Sequence, residues 1–481
     1  MRRFIDRLSQ QHTLDSAWRS GKPELVVVHG RRRVGKSELL VRFAHGKPIA
    51  YYVAAQQLER DQLADLGRAL GALSAGFRRS RPPRLAFRDW DELLATISDA
   101  GQRRRVGVVL DEFPYLVAAN PALPSLIQRW WDADGSRADV MLILAGSQQA
   151  MMQRLVSAEG ALYGRPTRRI HLQPFDYFHA AQFARGWSAE DRIRLYAIAG
   201  GIPDYLEEFD DQRSLRDELV RLAFSADGRL FREAPDLLRS EFSEPRTYES
   251  IIRAIAQGAT TPGEVADRAG LAAANRVNPY LDRLLELGLV DRRVPPAEET
   301  RPRPRTSQWV LADGYLRFYY RFIDPWRSAI QLGAGSRIID EVVGEPFDAF
   351  VSRTFEEVAR QYVARLSAAG KSPPLSSVAF WWFAGGDIDV AGFQGRRLVL
   401  AGSVKWTNEY VKPGDLDALR RSVAIAAPGQ QPDLFLFSRS GFDRNVRAEP
   451  GVRLVSLRDL FDRRLEFEAG AMQHDFGGPT R

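Results

Sequence analysis

A glycine-rich octapeptide between a β run and a helix constrains this chain more than any other feature. Glu24–His29 reads as a buried strand, and Ser37–Ala44 reads as a helix. The segment that joins them matches the pattern G-x-x-x-x-G-K-[ST] in full: Gly30, Arg31, Arg32, Arg33, Val34, Gly35, Lys36 and Ser37. Its glycines let backbone N–H groups point at phosphates, and the helix N-terminus adds a positive dipole end. The loop therefore predicts a nucleotide site in which Lys36 reaches the β- and γ-phosphates and Ser37 binds Mg²⁺.

A second apolar run ends in two carboxylates. Val106–Leu110 reads as a strand and is followed directly by Asp111 and Glu112. After a phosphate-binding loop, such a pair is typical of a site where one acid holds Mg²⁺ and the other orients or deprotonates the attacking water. We expect Asp111 to hold the metal through water and Glu112 to act on the water. Together the two motifs predict ATP as the ligand and its hydrolysis to ADP and phosphate as the reaction.

Three further positions are candidates for the same chemistry, each with an ordinary alternative. Ser147, after the strand Val140–Ala145, is a candidate sensor of the γ-phosphate, or else part of a strand-end turn. Arg165 is a candidate arginine finger, or one more surface arginine of an arginine-rich chain. Pro203, in Gly200–Pro203, is a candidate adenine contact, or a turn that interrupts a helix.

The composition excludes several classes of protein. The chain has 481 residues, 44% of them hydrophobic and 27% charged, which predicts a globular protein of two to four domains. It contains no Cys, so disulfides, cysteine-ligated zinc and thiol catalysis are excluded. No apolar run approaches the roughly 20 residues that span a bilayer, and the N-terminus lacks a secretory signal. We expect a cytoplasmic location and no membrane partner.

The charge balance favours an acidic partner. The formal net charge is +7, which is typical of proteins that bind nucleic acid. Nearly all the basic residues are arginine, however, so a GC-rich genome would produce the same surface. Charge alone therefore only slightly favours DNA.

The patterning predicts an α/β fold with four segments. Residues 1–175 alternate β runs with helices, which indicates a parallel sheet covered on both faces. Residues 176–245 read as a helical lid, and residues 246–325 as three helices followed by a two-stranded wing, a winged helix-turn-helix. Residues 312–335 read as a link to the next unit. Residues 336–465 combine the long helix Phe347–Leu366, a meander over Val378–Phe383, Asp387–Phe393 and Arg397–Lys405, the helix Asp415–Ala427 and the strand Asp433–Ser438.

In order along the chain, these motifs resemble the prokaryotic AAA+-like ATPases of the signal-transduction (STAND) kind. The resemblance is carried by Phe4–Arg7, Gly30–Ser37, Leu110–Phe113, Gly146–Ser147, Tyr163–Arg165 and Gly200–Pro203. It implies nucleotide-dependent conformational switching, a winged helix, and a C-terminal domain of unknown function that is restriction-endonuclease-like. One departure concerns Leu8–Gln11, which stands where the family usually has an acidic residue.

The resemblance assigns a degenerate nuclease site to the C-terminal segment. Nucleases of this kind use a helix carboxylate, an Asp on one strand, and an acid two residues before a Lys on the next strand. The matching positions here are Glu356 (or Glu357), Asp389, Ser403 and Lys405, and Ser403 stands where the acid is expected. A neutral hydroxyl does not supply the missing charge, although Asp387 or Glu409 could replace it. We expect a domain that is inactive or only binds.

The wing suggests how duplex DNA would be bound. Asn278–Leu287 is the helix expected in the major groove, with Arg276, Asn278, Tyr280 and Arg283 as candidate base-facing side chains. The arginines expected on phosphates are Arg292, Arg293, Arg301, Arg303 and Arg305. Winged helices also serve as spacers or protein-binding modules.

The predicted function is an ATP-hydrolysing switch whose nucleotide state repositions the winged helix and the nuclease-like domain, with double-stranded DNA as the expected partner. Two alternatives stay open: an ATP-gated nuclease, and a DNA-binding regulator in which ATP turnover is incidental. Assembly into a homo-oligomer is also left open, and with it whether Arg165 acts within or between subunits.

Overall fold

The computed structural model of this chain describes residues 5–74, 84–296, 307–343, 345–462 and 465. Two compact units divide the chain, Met1–Pro174 and Phe175–Arg481. Among the helices of the described residues, none combines the length and the apolarity needed to cross a membrane.

A five-stranded parallel sheet forms the centre of the first unit. Its strands are β1 (Glu24–Gly30), β2 (Ile49–Val53), β3 (Val106–Asp111), β4 (Val140–Gly146) and β5 (Arg168–Leu172). The helices are α1 (Leu8–Arg19), α2 (Lys36–Ala44), α3 (Glu59–Ser74), α4 (Trp90–Arg103), α5 (Phe113–Ala119), α6 (Leu123–Ala133) and α7 (Gln149–Val156). The strand order is β2-β3-β4-β1-β5, and every neighbouring pair is parallel.

The burial of this sheet confirms the predicted α/β class. Every residue of β1, β3 and β4 is buried, as expected of central strands with helices on both faces. Because the strands are parallel, the carboxyl ends of β1, β3 and β4 meet at one edge of the sheet. The loop that follows β1 and the acidic pair at the end of β3 therefore lie at the same edge.

The second unit begins with helices. They are α8 (Tyr177–Ala180), α9 (Ala189–Ala199), α10 (Pro203–Leu206), α11 (Leu215–Leu222), α12 (Arg229–Glu241), α13 (Pro245–Ala256), α14 (Pro262–Ala269) and α15 (Ala274–Glu286). An antiparallel pair follows, β6 (Val290–Arg293) with β7 (Gln308–Leu311). Helix α15 begins before the predicted Asn278, because Val277, Leu281 and Leu284 form one buried face and keep Pro279 inside the helix.

The region predicted to link two domains is a buried helical segment instead. It contains α16 (Gly314–Phe318), a π-helical turn over Tyr319–Ile323, α17 (Arg327–Gln331) and α18 (Gly335–Val342). Tyr315, Phe318 and Tyr319 are fully buried. Aromatic side chains of this size stabilise a core strongly, so the segment is part of the core of the unit.

The last part of the unit is a mixed five-stranded sheet with a long helix. Its elements are α19 (Glu345–Ala368), β8 (Ser377–Phe383), β9 (Gly386–Gln394), β10 (Arg397–Lys405), α20 (Pro413–Ala426), β11 (Asp433–Ser438), α21 (Arg444–Arg447), β12 (Val452–Ser456) and α22 (Leu457–Leu460). The strand order is β12-β11-β10-β9-β8, antiparallel through β8, β9 and β10 and parallel from β10 to β12. This separate mixed-sheet domain follows the predicted meander.

A buried arginine of α19 supports the packing of the second unit. Arg365 is 5% exposed, forms an ion pair with Asp176, donates to the carbonyl oxygen of Leu465 at 2.8 Å and lies over the ring of Phe178. Burial acts to raise the pKa of Asp176, but His179 and Arg365 outweigh it and lower the pKa from 3.8 to about 2.

We predict that Arg365→Met destabilises the protein by about 3–5 kcal/mol at pH 7, because it leaves the Asp176 carboxylate without its buried counter-charge. The difference should shrink as the pH falls from about 4 through 2, because the Asp176 carboxylate becomes protonated first in the unfolded chain, with its ordinary pKa of 3.8, and then in the folded protein. Denaturant unfolding monitored by circular dichroism measures it. Arg239→Met, which removes the exposed pair with Asp236, is the matched control and should cost under about 1 kcal/mol. Equal losses in both variants would contradict the prediction.

Candidate nucleotide and metal site

The two glycines of the phosphate-binding loop are required for different reasons. Gly35 has φ 90°, a left-handed conformation that glycine adopts without strain, and α2 starts at the next residue. A Cβ on Gly30 would stand 2.4 Å from the carbonyl oxygen of Leu172, because β1 and β5 approach closely at that point. Glycine at both positions allows the loop from Gly30 to Gly35 to curl at the N-terminus of α2. There the backbone N–H groups of the loop form an anion site.

Lys36 lies folded back on this loop. Its side chain is buried, and Nζ donates to the carbonyl oxygens of Gly30 at 2.8 Å and Arg31 at 2.9 Å. Those carbonyl groups hold the ammonium at the loop, within reach of an anion bound there.

The side chain of Arg7, which directly precedes α1, holds the backbone of the phosphate loop in place. Its guanidinium is buried and donates to the carbonyl oxygens of Val34 at 3.0 Å and Gln173 at 2.8 Å. Arg7 belongs to the Phe4–Arg7 segment, of which Phe4 lies outside the described residues. Arg7 thus connects the backbone of the loop to the chain just after β5, a role that sequence reasoning did not assign.

Asp111 accepts three hydrogen bonds at the end of β3. The hydroxyl groups of Ser37 and Tyr51 each donate to Oδ2 at 2.6 Å, and the backbone N–H of Glu112 donates to Oδ1 at 2.9 Å. Asp111 is fully buried. Burial and the Asp111 carboxylate both raise the pKa of Tyr51, so Tyr51 stays a donor at neutral pH. The motifs bring Ser37 and Asp111 together as predicted, while Tyr51 was missed because only strand pairing places β2 beside β3.

Glu112 and Ser147 are also brought together, from adjacent strand ends. The Ser147 hydroxyl lies 3.0 Å from Oε1 and 2.8 Å from Oε2 of Glu112. Glu112 has φ 53°, a strained conformation for a residue with a side chain, of the kind that often marks a functional site. Ser147 therefore contacts the side chain predicted to act on water.

The donors around Ser37 fit a hard divalent cation. A hydroxyl and a carboxylate oxygen 2.6 Å apart offer the oxygen ligands that Mg²⁺ prefers, and Mg²⁺ commonly takes only one or two protein ligands beside phosphate and water. Within the described residues, no group of three or more His, Cys, Asp or Glu side chains could hold a metal ion.

The three loop arginines surround this site with positive charge. Arg31, Arg32 and Arg33 are partly exposed, and the guanidinium of Arg32 donates to the hydroxyl of Tyr115 at 3.4 Å. Arg33 has φ 68°, so the curl of the loop includes a left-handed residue other than glycine.

Arg165, for which the sequence left open whether it acts within or between subunits, lies at the edge of the sheet opposite the phosphate loop of its own chain. Thr167, just before β5, donates its N–H to the carbonyl oxygen of Leu25 near the start of β1. Five residues of strand separate Leu25 from Gly30, about 17 Å at roughly 3.3 Å per residue. Arg165 is held there by Asp132, with Nε–Oδ1 at 2.9 Å and Nη2–Oδ2 at 2.7 Å. It does not reach the phosphate loop of the same subunit.

Pro203 belongs to the second unit, at the first position of α10. The glycines before it have packing reasons of their own. Gly200 has φ 60°, and a Cβ on Gly201 would stand 1.8 Å from the carbonyl oxygen of Phe175. These contacts explain the turn, and the predicted adenine contact of Pro203 stays a prediction.

A histidine pair beside the loop was also missed. The rings of His29, on β1, and His171, on β5, are stacked with centroids 4.4 Å apart. Burial, followed by the charges of His171 and Lys36, lowers the pKa of His29 to about 4. His29 is therefore neutral at physiological pH and adds no charge to the site.

The predicted nuclease-like positions converge in the second unit. Glu356, on α19, faces Asp389, on β9, whereas Glu357 pairs with Arg317 at 3.5 Å. Burial and then the neighbouring Asp389 raise the pKa of Glu356 to about 7. Arg360 lies 3.9 Å from Glu356 and donates to the backbone oxygen of Asp389 at 2.8 Å.

The remaining nuclease-like side chains are engaged in other contacts. Ser403 and the N–H of Val404 donate to Oδ2 of Asp389 at 3.3 and 2.8 Å. Lys405 pairs with Asp415 at 3.6 Å, and Glu409 pairs with Lys412 at 2.6 Å.

Of the side chains predicted to face DNA, some are exposed and others form contacts within the protein. Arg276 and Asn278 are exposed. Tyr280 donates to Glu244 at 3.2 Å, and Arg283 donates to Glu286 at 2.9 Å. On β6, Arg292 lies over the ring of Trp309, whereas Arg293 lines a cavity that also contains Glu356 and Asp389. Arg301, Arg303 and Arg305 lie outside the described residues.

Two protein families match parts of the chain. A family described as an ATPase domain predominantly from Archaea matches residues 4–209. A family of archaeal and bacterial proteins of unknown function matches residues 319–416. An uncharacterised protein of Methanocaldococcus jannaschii is 28% identical over 423 residues, which are 87% of this chain and 91% of that protein.

Two further matches are to proteins described as binding or hydrolysing ATP. An uncharacterised ATP-binding protein of the same archaeon is 37% identical over 46 residues, 10% of this chain and 78% of that protein. The solved structure of a Walker-type ATPase of Pyrococcus abyssi, 20% identical, covers 66% of this chain and 96% of its own, with a TM-score of 0.50. At that identity the likeness shows the fold alone. Residues 4–209 are thus similar to an ATPase domain, and residues 319–416 are similar to proteins of unknown function.

Proposed function

We propose that the first unit binds ATP with Mg²⁺ and hydrolyses it to ADP and phosphate. The observation that carries this proposal is the contact of Ser37 with Asp111 at 2.6 Å, with Glu112 as the next residue of the chain. A phosphate loop, a metal-binding pair and a carboxylate for water thus stand at one sheet edge. The match of residues 4–209 to an ATPase-domain family supports the same reaction.

Phosphate binding in this proposal uses groups that are already in place. The loop N–H groups and the N-terminus of α2 accept the β-phosphate. Lys36 exchanges the carbonyl oxygens of Gly30 and Arg31 for phosphate oxygens, which turns the ammonium toward negative charge. Arg7 keeps the loop backbone fixed while Lys36 moves.

Ser37 and Asp111 would hold Mg²⁺, which supplies charge neutralisation of the β- and γ-phosphates when bound. Glu112 orients the attacking water and takes its proton. Ser147 is a positioning residue for Glu112, since its hydroxyl contacts both carboxylate oxygens. The Ser147 hydroxyl can also change its acceptor from Glu112 to a γ-phosphate oxygen. That contact would be the sensor role predicted from the sequence.

The nucleotide state would act as a switch on the second unit, where helices α13–α15 and the β6–β7 pair form a winged helix that binds duplex DNA. The exposed Arg276 and Asn278 on α15 support this part of the proposal. In the alternative of a DNA-binding regulator with incidental turnover, DNA would leave the ATPase rate unchanged.

The C-terminal domain would be a nuclease-like fold without cleavage activity. Ser403 donates a hydrogen bond to Asp389 where an active site of this kind would supply a further carboxylate, and Arg360 stands beside Glu356. The alternative, an ATP-gated nuclease, requires Asp387 to supply that carboxylate. Glu409 is less suited to it because its carboxylate pairs with Lys412.

Arg165 has a role in this scheme only if two copies of the chain assemble. From its own sheet edge it would enter the nucleotide site of a neighbouring subunit after leaving Asp132. We therefore place Arg165 between subunits of a homo-oligomer.

We predict that Lys36→Ala abolishes ATP hydrolysis and weakens ATP binding, since it removes an ammonium that acts on the bound ground state. Glu112→Gln should keep ATP affinity and lower kcat by at least about 100-fold, because it removes only the base. Equilibrium nucleotide titration and steady-state phosphate release separate the two effects.

The controls for this pair are Lys22→Ala and Glu159→Gln, which change exposed side chains of the same types. A wild-type rate in Glu112→Gln would refute the assignment of the base. Normal binding and turnover in Lys36→Ala would refute the site as a whole.

We predict that the protein binds duplex DNA with weak sequence preference and an affinity that falls steeply with salt, because neutralised phosphates release counterions. The triple variant of Arg301, Arg303 and Arg305 to Ala should flatten the salt slope by up to about three units. Fluorescence anisotropy over a salt series measures the slope. Replacement of Arg19, Arg42 and Arg103 by Ala removes the same amount of charge elsewhere in the chain. This control should change the salt slope little. Equal slopes in both triple variants would assign the winged helix to protein contact.

We predict that the protein does not nick plasmid DNA with Mg²⁺ or Mn²⁺, with or without ATP. Ser403→Glu should raise Mn²⁺ affinity, because it adds a carboxylate beside Asp389, while Ser403→Gln adds the same bulk without charge and should not. Calorimetry with Mn²⁺ and a nicking assay measure the two effects. Cleavage by the unmodified protein that disappears in Asp389→Ala would show an active nuclease.

A further inference from the structure

A cavity in the second unit collects arginines that the proposed ATPase chemistry does not use. Its volume is about 510 Å³, within the range of small-molecule sites. Arg293 comes from β6, Arg317 from α16, Arg321 from the π-helical turn and Arg353 from α19. Four arginines from four different elements thus line one cavity.

These arginines are partly neutralised by the carboxyl groups of Glu356, Asp387 and Asp389, which line the same cavity. Within the described residues, no hydrogen bond or ion pair engages the side chains of Arg293, Arg321 or Arg353. Arg317 has one ion pair, with Glu357 at 3.5 Å. Burial and then the like charges of Arg293 and Arg317 lower the pKa of Arg353, while Glu356 acts in the opposite direction. Four arginines outnumber the three carboxyl groups in the lining, so a net positive charge is left to attract an anion.

The rest of the lining favours a nucleotide over a bare anion. Trp309, Phe350 and Phe380 contribute aromatic surface, on which bases stack well. Asp387 and Asp389 add carboxylates, which accept hydrogen bonds from the amino groups of bases. Arginine is suited to phosphate because its planar fork donates two parallel hydrogen bonds.

We propose that this cavity is a second nucleotide site, in which Arg293, Arg317 and Arg353 bind a phosphate group and the aromatic and acidic side chains bind the base. The phosphate belongs either to a free 5′-nucleotide or to the 5′ end of a nucleic-acid strand, and both sources present the same chemistry. The site is independent of the ATPase reaction, since all of its residues belong to the second unit.

The test uses the full chain carrying Lys36→Ala, so that binding at the phosphate loop is weakened. Calorimetry is run with inorganic phosphate, a nucleoside, 5′-mononucleotides and a 5′-phosphorylated tetranucleotide. We expect at least one phosphorylated ligand to bind one site per chain, more tightly than phosphate or nucleoside. Binding of mononucleotides indicates a free nucleotide as the source, and binding of the tetranucleotide alone indicates a strand end.

Variants locate this binding. Arg353→Ala should weaken the binding of the phosphorylated ligand at least 10-fold. Arg293→Ala should do the same, and because it changes a different element it keeps the test valid if the first variant unfolds. Arg337→Ala is the matched control, because Arg337 is exposed on α18 and does not line the cavity. The absence of saturable binding, or equal binding by the Arg353, Arg293 and Arg337 variants, would overturn the proposal.

Discussion

The hydrogen bond from Ser37 to Asp111 joins the two sequence motifs into one site. It forms because β1 and β3 lie on either side of β4 in a parallel sheet, so that the ends of all three strands reach one edge. Asp111 is fully buried, and a buried carboxylate is costly unless its oxygens accept hydrogen bonds. Ser37, Tyr51 and the N–H of Glu112 supply those bonds, so the geometry of the site is set by the need to satisfy one buried charge.

The sequence predicted this part of the structure well because motif and secondary structure agree there. Apolar runs identified β1, β3 and β4, and the parallel arrangement then placed Ser37, Asp111, Glu112 and Ser147 near one another. Contacts that depend on the pairing of distant segments were not predictable. Tyr51 reaches Asp111 only because β2 is the neighbour of β3. The sequence also left open whether Arg165 acts within or between subunits, because spacing along the chain does not tell which edge of a sheet a loop reaches.

In the second unit, more of the structure depends on contacts between distant segments, which the sequence does not predict. The meander β8–β10 followed from alternation, and β9 places Asp387 and Asp389 on one face as predicted. The aromatic segment of α16 was taken for a linker, since its burial depends on packing that no local pattern reveals. The winged-helix, signal-transduction and nuclease-like assignments stay predictions. In the structure, Arg293 lines a cavity with Glu356 and Asp389, so at least one wing arginine lies beside the carboxylates of the C-terminal domain.

A structure of the full chain with a non-hydrolysable ATP analogue and Mg²⁺ tests the central claim most directly. The account predicts that the metal contacts the Ser37 hydroxyl and lies beside Asp111. It also predicts that Lys36 leaves the carbonyl oxygens of Gly30 and Arg31 for the β- and γ-phosphates, and that Glu112 faces a water in line with the γ-phosphate. A nucleotide bound elsewhere would contradict the account. So would a nucleotide bound at the loop while Lys36 keeps both carbonyl contacts and no metal contacts Ser37.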